Sequence, residues 1–182
     1  MEKRFQGRVA IVTGAASGMG LVASRMFARE GAKVYMVDID EERAKAEARE
    51  ICAAGNYAAA CACDVREYAQ IVAVVEQCIR EESRIDIIVN FAGGFPARMC
   101  GLTDREFVHT PLEVLDWGIA VNFRAPLLFA RAAMEHMMQR KKGVIINIGS
   151  IDGETGGAVD YAAEKSGSTG GLTKALARIG AP

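Results

Sequence analysis

Short apolar runs alternate along the chain with longer segments in which apolar residues recur every three or four positions. The segments of helical period predict helices, and strands that alternate with helices are typical of an α/β fold with a parallel, doubly wound sheet. The apolar runs predict five strands, at Arg8 to Thr13, Lys33 to Asp38, Tyr57 to Cys63, Ile85 to Asn90 and Gly143 to Gly149.

Glycine and aspartate residues mark the ends of the predicted helices. Gly31 closes the segment Leu21 to Glu30, while Asp40 can cap the next helix and Gly55 can end it. Further helices are predicted at Glu67 to Glu82, Leu112 to Lys141 and Tyr161 to Ile179. With neither an internal repeat nor a low-complexity linker, the sequence predicts one domain over residues 1–182.

One long stretch, Gly93 to Pro111, has no clear periodicity. It follows the fourth strand, where α/β proteins place ligand-binding loops. We therefore expect a loop there that contributes to a site.

Composition narrows the classes of function. A hydrophobic content of 51% supports a buried core, and a net charge of −1 argues against nucleic-acid partners. The first apolar run, Val9 to Val12, is too short for a signal peptide or a membrane span, so we expect a cytoplasmic protein without membrane contact.

The cysteine and histidine residues do not form a metal-binding pattern. There are five cysteines and two histidines, and no second Cys-x-Cys pair accompanies Cys61 and Cys63. We expect no metal, and reduced thiols in the core, for Cys52, Cys61, Cys63, Cys78 and Cys100.

The first strand runs directly into a glycine-rich turn and the start of a helix. Glycines here let backbone amides at the helix N-terminus approach a pyrophosphate. The spacing is G-x-x-x-G-x-G without a following lysine, which disfavours a nucleoside triphosphate loop. A turn that only joins strand to helix is the open alternative. The candidate residues are Thr13, Gly14, Ser17, Gly18, Met19 and Gly20.

Asp38 ends the second predicted strand, eighteen residues beyond Gly20. A carboxylate there can accept hydrogen bonds from both hydroxyls of an adenosine ribose, and it would repel a 2′-phosphate. The sequence therefore favours NAD over NADP, although Asp38 could instead only cap the next helix.

Tyr161 and Lys165 lie four residues apart, and Ser150 lies eleven residues before Tyr161. Side chains at i and i+4 project from the same helix face, so a phenol and an ammonium can meet over one substrate. Together with the glycine-rich turn, this arrangement predicts a dinucleotide-dependent oxidoreductase.

In order and approximate spacing, these motifs resemble those of the short-chain dehydrogenase/reductase family. Asp64-Val65 resembles the pair that holds adenine, and Asn90-Phe91-Ala92-Gly93 resembles the Asn-Asn-Ala-Gly element, with Phe91 in place of the second Asn. The resemblance implies a Rossmann-type sheet of order 3-2-1-4-5 and a catalytic tetrad. The tetrad positions are Asn122, Ser150, Tyr161 and Lys165.

The resemblance also implies roles for these residues. Tyr161 would be the general acid/base, Lys165 would lower its pKa, Ser150 would bind the reacting oxygen, and Asn122 would kink its helix and order a water relay. An asparagine that merely satisfies its own helix is the alternative for Asn122. The implied NAD-binding set is Thr13, Gly14, Ser17, Gly18, Met19, Gly20, Asp38, Asp64, Val65, Asn90, Ala92, Gly93, Tyr161 and Lys165.

Two features depart from the family pattern. The interval from Ser150 to Tyr161 is slightly short, so the loop Ile151 to Asp160 could place Ser150 differently. Family members also usually continue into a sixth and a seventh strand, so the final strands are expected to be missing from this chain.

The expected function is NAD(H)-dependent interconversion of a secondary alcohol and its ketone, with a small-molecule substrate. A reductase of 3-oxoacyl-carrier-protein type and a cofactor-binding fragment without turnover are the alternatives. The resemblance further implies a homo-oligomer, a dimer or a homotetramer, formed through the helices Leu112 to Lys141 and Tyr161 to Ile179.

Overall fold

Five strands follow the apolar runs of the sequence. The computed structural model describes residues 3–102 and 107–181. The sheet has the predicted order β3-β2-β1-β4-β5, and β1 pairs in parallel with both β2 and β4. The strands are β1 (Val9–Thr13), β2 (Lys33–Asp38), β3 (Tyr57–Ala62), β4 (Ile87–Asn90) and β5 (Val144–Asn147).

Helices occupy the segments between the strands. Two π-helical segments cover Ile119–Arg124 and Gly167–Leu172, and a 3₁₀ turn covers Phe107–His109. The helices are α1 (Gly18–Arg29), α2 (Glu41–Ala53), α3 (Tyr68–Glu82), α4 (Pro96–Met99), α5 (Leu112–Gly118), α6 (Ala125–Gln139), α7 (Asp152–Thr155), α8 (Val159–Ser166) and α9 (Thr173–Gly180).

The chain forms two compact units. The first contains Met1–Ala92 and Phe129–Ile146, and the second contains Gly93–Leu128 and Asn147–Pro182. The glycine-rich turn lies in the first unit and all four tetrad positions lie in the second.

The central strands of the first unit are mostly apolar and buried because both faces of the sheet are covered. All five residues of β1 are buried, and so are the four inner residues of β2. Val12, Val34 and Met36 form one cluster with Ala28 of α1 and Ile51 of α2. This packing fixes the ends of β1 and β2, from which the candidate binding residues project.

The residues predicted to cap or end the first two helices do so, although α1 begins at Gly18, three residues before the predicted start at Leu21. The Asp40 side chain accepts a hydrogen bond from the backbone N–H of Arg43 (3.1 Å) and caps α2. Gly31 and Gly55 follow α1 and α2 with left-handed backbones.

Two helices were missed in the sequence, namely α4 within the stretch Gly93 to Pro111 and α7 within the expected loop Ile151 to Asp160. Each has only four residues, too few to show helical periodicity. Local signals do exist, because Pro96 occupies the start of α4 and Gly156 ends α7 in the left-handed conformation.

The expectation that all five thiols lie in the core is wrong for two of them. Cys61, Cys63 and Cys78 are buried, and burial raises the pKa of each to about 11, 12 and 12 respectively. Cys52 and Cys100 are exposed. Among the residues that the structure describes, no helix is long and apolar enough to cross a membrane.

Candidate active site

The carboxyl ends of four strands meet at one edge of the sheet in the first unit. Thr13 at the end of β1 pairs with Val37 of β2 and with Asn90 of β4, and Asp38 pairs with Ala62 of β3. In open α/β sheets, ligands bind outside this edge, where the strand order reverses. The sheet order places that reversal between β1 and β4.

The glycine-rich turn lies at this edge and permits two close backbone approaches. Gly14 has φ +63°, and a β-carbon there would lie 2.9 Å from the backbone nitrogen of Ala92. A β-carbon on Gly20 would collide with the carbonyl of Gly14. Only glycine therefore allows α1 to begin directly behind the turn, with its N-terminal amides at the sheet edge.

The other residues predicted for this turn lie where an anion could reach them. Ser17 precedes α1 in an extended conformation without capping the helix by its side chain. Gly18 is the first helical residue, and Met19 is 68% exposed. The Thr13 hydroxyl accepts a hydrogen bond from Ala92 N–H (3.0 Å), which ties the turn to the residue after Phe91.

Asp38 contacts the same turn. Its Oδ2 accepts a hydrogen bond from Ala16 N–H at 2.9 Å, and its Oδ1 accepts one from Asp40 N–H at 3.0 Å. Each carboxylate oxygen has a second lone pair for a further donor. Asp38 is not the cap of α2, since the capping side chain is that of Asp40.

Asp64 and Val65 follow β3 at this edge. Arg66 donates hydrogen bonds to both oxygens of Asp64, the shortest at 2.6 Å, and these bonds hold the pKa of the Asp64 carboxyl below its usual value. Val65 and Asn90 are both buried. The first unit therefore gathers every residue predicted to bind the cofactor except Gly93, Tyr161 and Lys165.

In the second unit, α8 carries Tyr161 and Lys165 on one face as predicted. Lys165 Nζ lies 5.7 Å from the centroid of the Tyr161 ring and donates a hydrogen bond to the Ile148 carbonyl at 2.9 Å. Ser150 forms a hydrogen bond with Tyr161, and its Oγ accepts one from Asp152 N–H at 3.2 Å. The short interval before Tyr161 therefore leaves Ser150 in contact with the phenol.

Burial acts against the charged forms of both α8 side chains. It raises the pKa of Tyr161, while the hydrogen bond from Ser150 opposes that shift. It also lowers the pKa of Lys165, and the negative charge of Glu164 opposes this second shift. The Ser150 hydrogen bond is the interaction that favours the phenolate of Tyr161.

Asn122 lies in the π-helical segment Ile119–Arg124 and is 1% exposed. Its Oδ1 accepts a hydrogen bond from Gly94 N–H (3.0 Å), and its Nδ2 donates to the Gly94 carbonyl (2.9 Å). These bonds fix the backbone next to Gly93. Phe95, one residue further, meets the Tyr161 ring edge-on at a centroid distance of 5.8 Å.

Glu164 is the site residue that sequence reasoning missed. It is 4% exposed, and its Oε2 accepts one hydrogen bond, at 2.8 Å, from Asn122 Nδ2, which also donates to Gly94. Burial raises the pKa of its carboxyl to about 7, with the Asn122 bond opposing. A signal was available, because an acid three residues after Tyr161 shares the helix face of the tyrosine.

The second unit also contains an apolar cavity of about 430 Å³. Neither Phe95 nor Ile151 lines it. The lining residues are Phe107, Leu115, Ile119, Phe123, Val159, Asp160, Ala163, Glu164 and Gly167.

Within residues 3–102 and 107–181, no three His, Cys, Asp or Glu side chains are grouped as metal ligands would be.

Comparison with known proteins decides the family. The family model for short chain dehydrogenases matches residues 8–182. The chain belongs to the short-chain dehydrogenase family. It is therefore a member of a family of oxidoreductases that bind a nicotinamide cofactor, and its fold is of the Rossmann type.

Named short-chain dehydrogenases show the range of this similarity. The chain is 36% identical over 176 residues to (2S)-[(R)-hydroxy(phenyl)methyl]succinyl-CoA dehydrogenase subunit BbsD of Thauera aromatica, covering 95% of this chain and 67% of that protein. It is 31% identical over 179 residues to the 3-oxoacyl-[acyl-carrier-protein] reductase FabG of Thermotoga maritima, covering 96% of this chain and 69% of that protein.

A solved short-chain oxidoreductase from a metagenome, in complex with NADP, matches with a TM-score of 0.86 and 35% identity. That match covers 97% of this chain and 79% of the other. The chain spans about two thirds of the length of its curated short-chain dehydrogenase relatives, for example 64% of oxidoreductase UcpA of Escherichia coli.

Proposed function

We propose that the protein is an NAD(H)-dependent oxidoreductase that interconverts a secondary alcohol and its ketone. The observation that carries the proposal is that Lys165 Nζ lies 5.7 Å from the centroid of the Tyr161 ring while Ser150 forms a hydrogen bond with the same tyrosine. This group can hold and move one proton at the oxygen of a substrate.

Tyr161 supplies the proton transfer in this proposal. During oxidation its phenolate accepts the alcohol proton, and during reduction its phenol protonates the carbonyl oxygen. Bringing a phenol from a pKa of about 10 to about 7 takes roughly 4 kcal/mol. A cation about 4 Å from the phenolate oxygen would supply about 4 kcal/mol at an effective dielectric of about 20, and Lys165 would be that cation in the proposal. Ser150 would donate a hydrogen bond to the substrate oxygen.

The cofactor would bind at the sheet edge of the first unit, where the residues present fit a dinucleotide. Amides at the start of α1 and the glycine-rich turn suit a pyrophosphate, and Asp38 suits the ribose hydroxyls. When bound, NAD supplies the acceptor for the hydride that leaves the carbinol carbon. We propose NAD because Asp38 would face the 2′-phosphate of NADP with a negative charge.

The Tyr161→Phe variant tests this function. It removes the proton-transferring oxygen and leaves the cofactor residues of the first unit untouched, so we expect turnover to fall by about a hundredfold or more with little change in NAD affinity. Turnover is measured with a panel of secondary alcohols, and affinity by calorimetric titration. Tyr57→Phe, in the first unit, is the matched control. Near-normal turnover of Tyr161→Phe would remove Tyr161 from the chemistry.

The same assays separate the alternatives. A 3-oxoacyl reductase, which the FabG similarity favours, would turn over a 3-oxoacyl thioester faster than simple ketones. A cofactor-binding fragment would bind NAD without turning over any member of the panel. We further propose that the protein is a homo-oligomer, supported by the exposed apolar residues of α5 and α8 and by the cavity that they border.

A further inference from the structure

The environment of Glu164 is unusual for a residue that only packs in the core. Glu164 is 4% exposed, its Oε2 accepts a hydrogen bond from Asn122, and its buried Oε1 has no hydrogen-bond partner among residues 3–102 and 107–181. Glu164 also lines the apolar cavity of the second unit. Burying a carboxylate with one bonded oxygen costs free energy, so a purely structural position would favour an apolar residue or glutamine.

The carboxylate is linked to the backbone beside the tetrad through Asn122. The amide of Asn122 makes three hydrogen bonds, two with the peptide groups of Gly94 and one with Glu164. A β-carbon built on Gly93 would collide with Asn122 Oδ1 and lie 3.6 Å from Lys165 Nζ. The orientation of Asn122 therefore sets how the Gly93–Gly94 backbone lies against Lys165.

Charge provides a second link from Glu164 to the site. Its negative charge raises the pKa of Tyr161 and counters the lowering of the pKa of Lys165 by burial. The carboxylate thus favours the protonated form of both residues of the pair.

We propose that Glu164 is a positioning residue of the Tyr161 and Lys165 site, which holds Asn122 by its hydrogen bond and tunes proton transfer by its charge. The proposal rests on the function proposed above. It assigns Glu164 no contact with substrate, because its effect passes through Asn122 and through the electric field at the pair.

The charged groups that act on Glu164 can be named. Asp160 and Lys165 of its own helix raise and lower its pKa respectively. From the segment Ile119–Arg124, packed against α8, the neutral amide of Asn122 faces it. Asp152 of α7 acts on Tyr161 instead. The ionisation of Tyr161 in the presence and absence of the Glu164 charge therefore reports on the proposed coupling.

Two substitutions separate hydrogen bonding from charge. In Glu164→Gln the side-chain amide oxygen can still accept from Asn122, but the charge is removed; Glu164→Leu removes both. The titration of Tyr161 is followed by ¹³C NMR of the tyrosine Cζ atoms and assigned with Tyr161→Phe. Glu154→Gln on α7 is the matched control, because it removes one exposed negative charge and Glu154 does not act on Tyr161.

We expect Glu164→Gln to shift the Tyr161 titration resolvably to lower pH, and Glu154→Gln to leave it unchanged. In turnover assays we expect Glu164→Gln to keep most of kcat with its acid limb at lower pH, and Glu164→Leu to lose about tenfold or more at unchanged NAD affinity.

An unchanged Tyr161 titration in Glu164→Gln would overturn the proposal, and so would equal losses of kcat in the two variants without any shift of the pH profile. The NMR experiment needs no turnover. If the wild-type protein turns over no substrate while the Tyr161 titration shifts, the proposed function fails and the coupling stands. The glutamine variant keeps the titration test valid if the leucine variant does not fold.

Discussion

At the scale of single residues, Asp38 is both the proposed ribose-binding residue and a hydrogen-bond acceptor within the local structure. Its carboxylate accepts hydrogen bonds from Ala16 N–H in the glycine-rich turn and from Asp40 N–H. Cofactor preference and the shape of the turn are therefore linked through one side chain. For any substitution of Asp38, both the cofactor affinity and the stability of the protein therefore have to be measured.

We expect Asp38→Ala to narrow the ratio of NAD affinity to NADP affinity, because the variant loses the ribose acceptor and the repulsion of a 2′-phosphate. Calorimetric titration with each dinucleotide measures the ratio. Asp38→Asn keeps one acceptor oxygen but removes the charge. It should therefore melt at a higher temperature than Asp38→Ala without regaining the preference for NAD over NADP. Glu41→Ala removes a nearby exposed acid as the control. A ratio unchanged in Asp38→Ala would remove this role.

The sequence allowed Tyr161, Lys165 and Ser150 to be singled out because helical spacing and strand ends are local geometry. The structure brings these side chains together in the second unit, and their catalytic roles stay predictions. Glu164 could not be identified in the same way, since its meaning comes from Asn122, which lies 42 residues earlier in the chain. The spacing of apolar residues along the sequence does not reveal a contact between residues so far apart in the chain.

At the scale of elements, the carboxylate of Asp86 holds the amino ends of β1 and β4. Asp86 Oδ2 accepts hydrogen bonds from Val9 N–H (2.9 Å) and Arg84 Nε (2.7 Å), and the Asp86 carbonyl accepts one from Val144 N–H at the start of β5. The Asp86 side chain is 3% exposed. Although burial opposes the shift, Arg84 and Val9 hold the pKa of Asp86 at about 2.

A depressed pKa makes the stability contribution of Asp86 depend on pH. It is fully present above the ordinary value of 3.8 and is lost as the pH falls through about 2. We expect the free energy of unfolding of Asp86→Asn to be about 2 kcal/mol lower than that of the wild-type protein at pH 7. This difference should narrow as the pH falls below about 4. Denaturant unfolding at a series of pH values measures this. Asp116→Asn, on the exposed side of α5, is the control, and a gap independent of pH would contradict the assignment.

The sequence predicted long elements better than short ones. The strands and the helices α1 to α3 carry enough apolar positions for their period to show, and β2 agrees at both ends. The four-residue helices α4 and α7 are too short to show a period, and the period does not reveal the two π-helical segments either. A π-helical turn differs from an α-helical one in backbone bonding, which the order of apolar residues does not specify.

At the scale of the whole molecule, exposed apolar side chains concentrate in the second unit. Leu112, Ile119 and Val159 are 72%, 49% and 55% exposed, and Ile119 and Val159 also line the cavity. An apolar surface of this kind favours association.

We expect the protein to be a dimer or tetramer in solution, and Ile119→Arg to lower its mass because a charge is costly to bury in an apolar contact. Light scattering coupled to gel filtration measures the mass over a range of concentrations. Met26→Arg, which charges an exposed apolar position of α1, should leave it unchanged. A wild-type monomer at every concentration would contradict the expectation.

The π-helical segment Ile119–Arg124 has a consequence for how this chain tolerates insertions and deletions. Each residue of an α-helix turns the chain by about 100°. Deleting one residue between Gly118 and Asn122 would therefore rotate α5 relative to Asn122 by about that angle. Leu115 would leave the wall that it shares with Phe123, while substitutions at the same positions would keep the register. Between Gly118 and Asn122, a one-residue deletion should therefore disturb the cavity wall more than a substitution would.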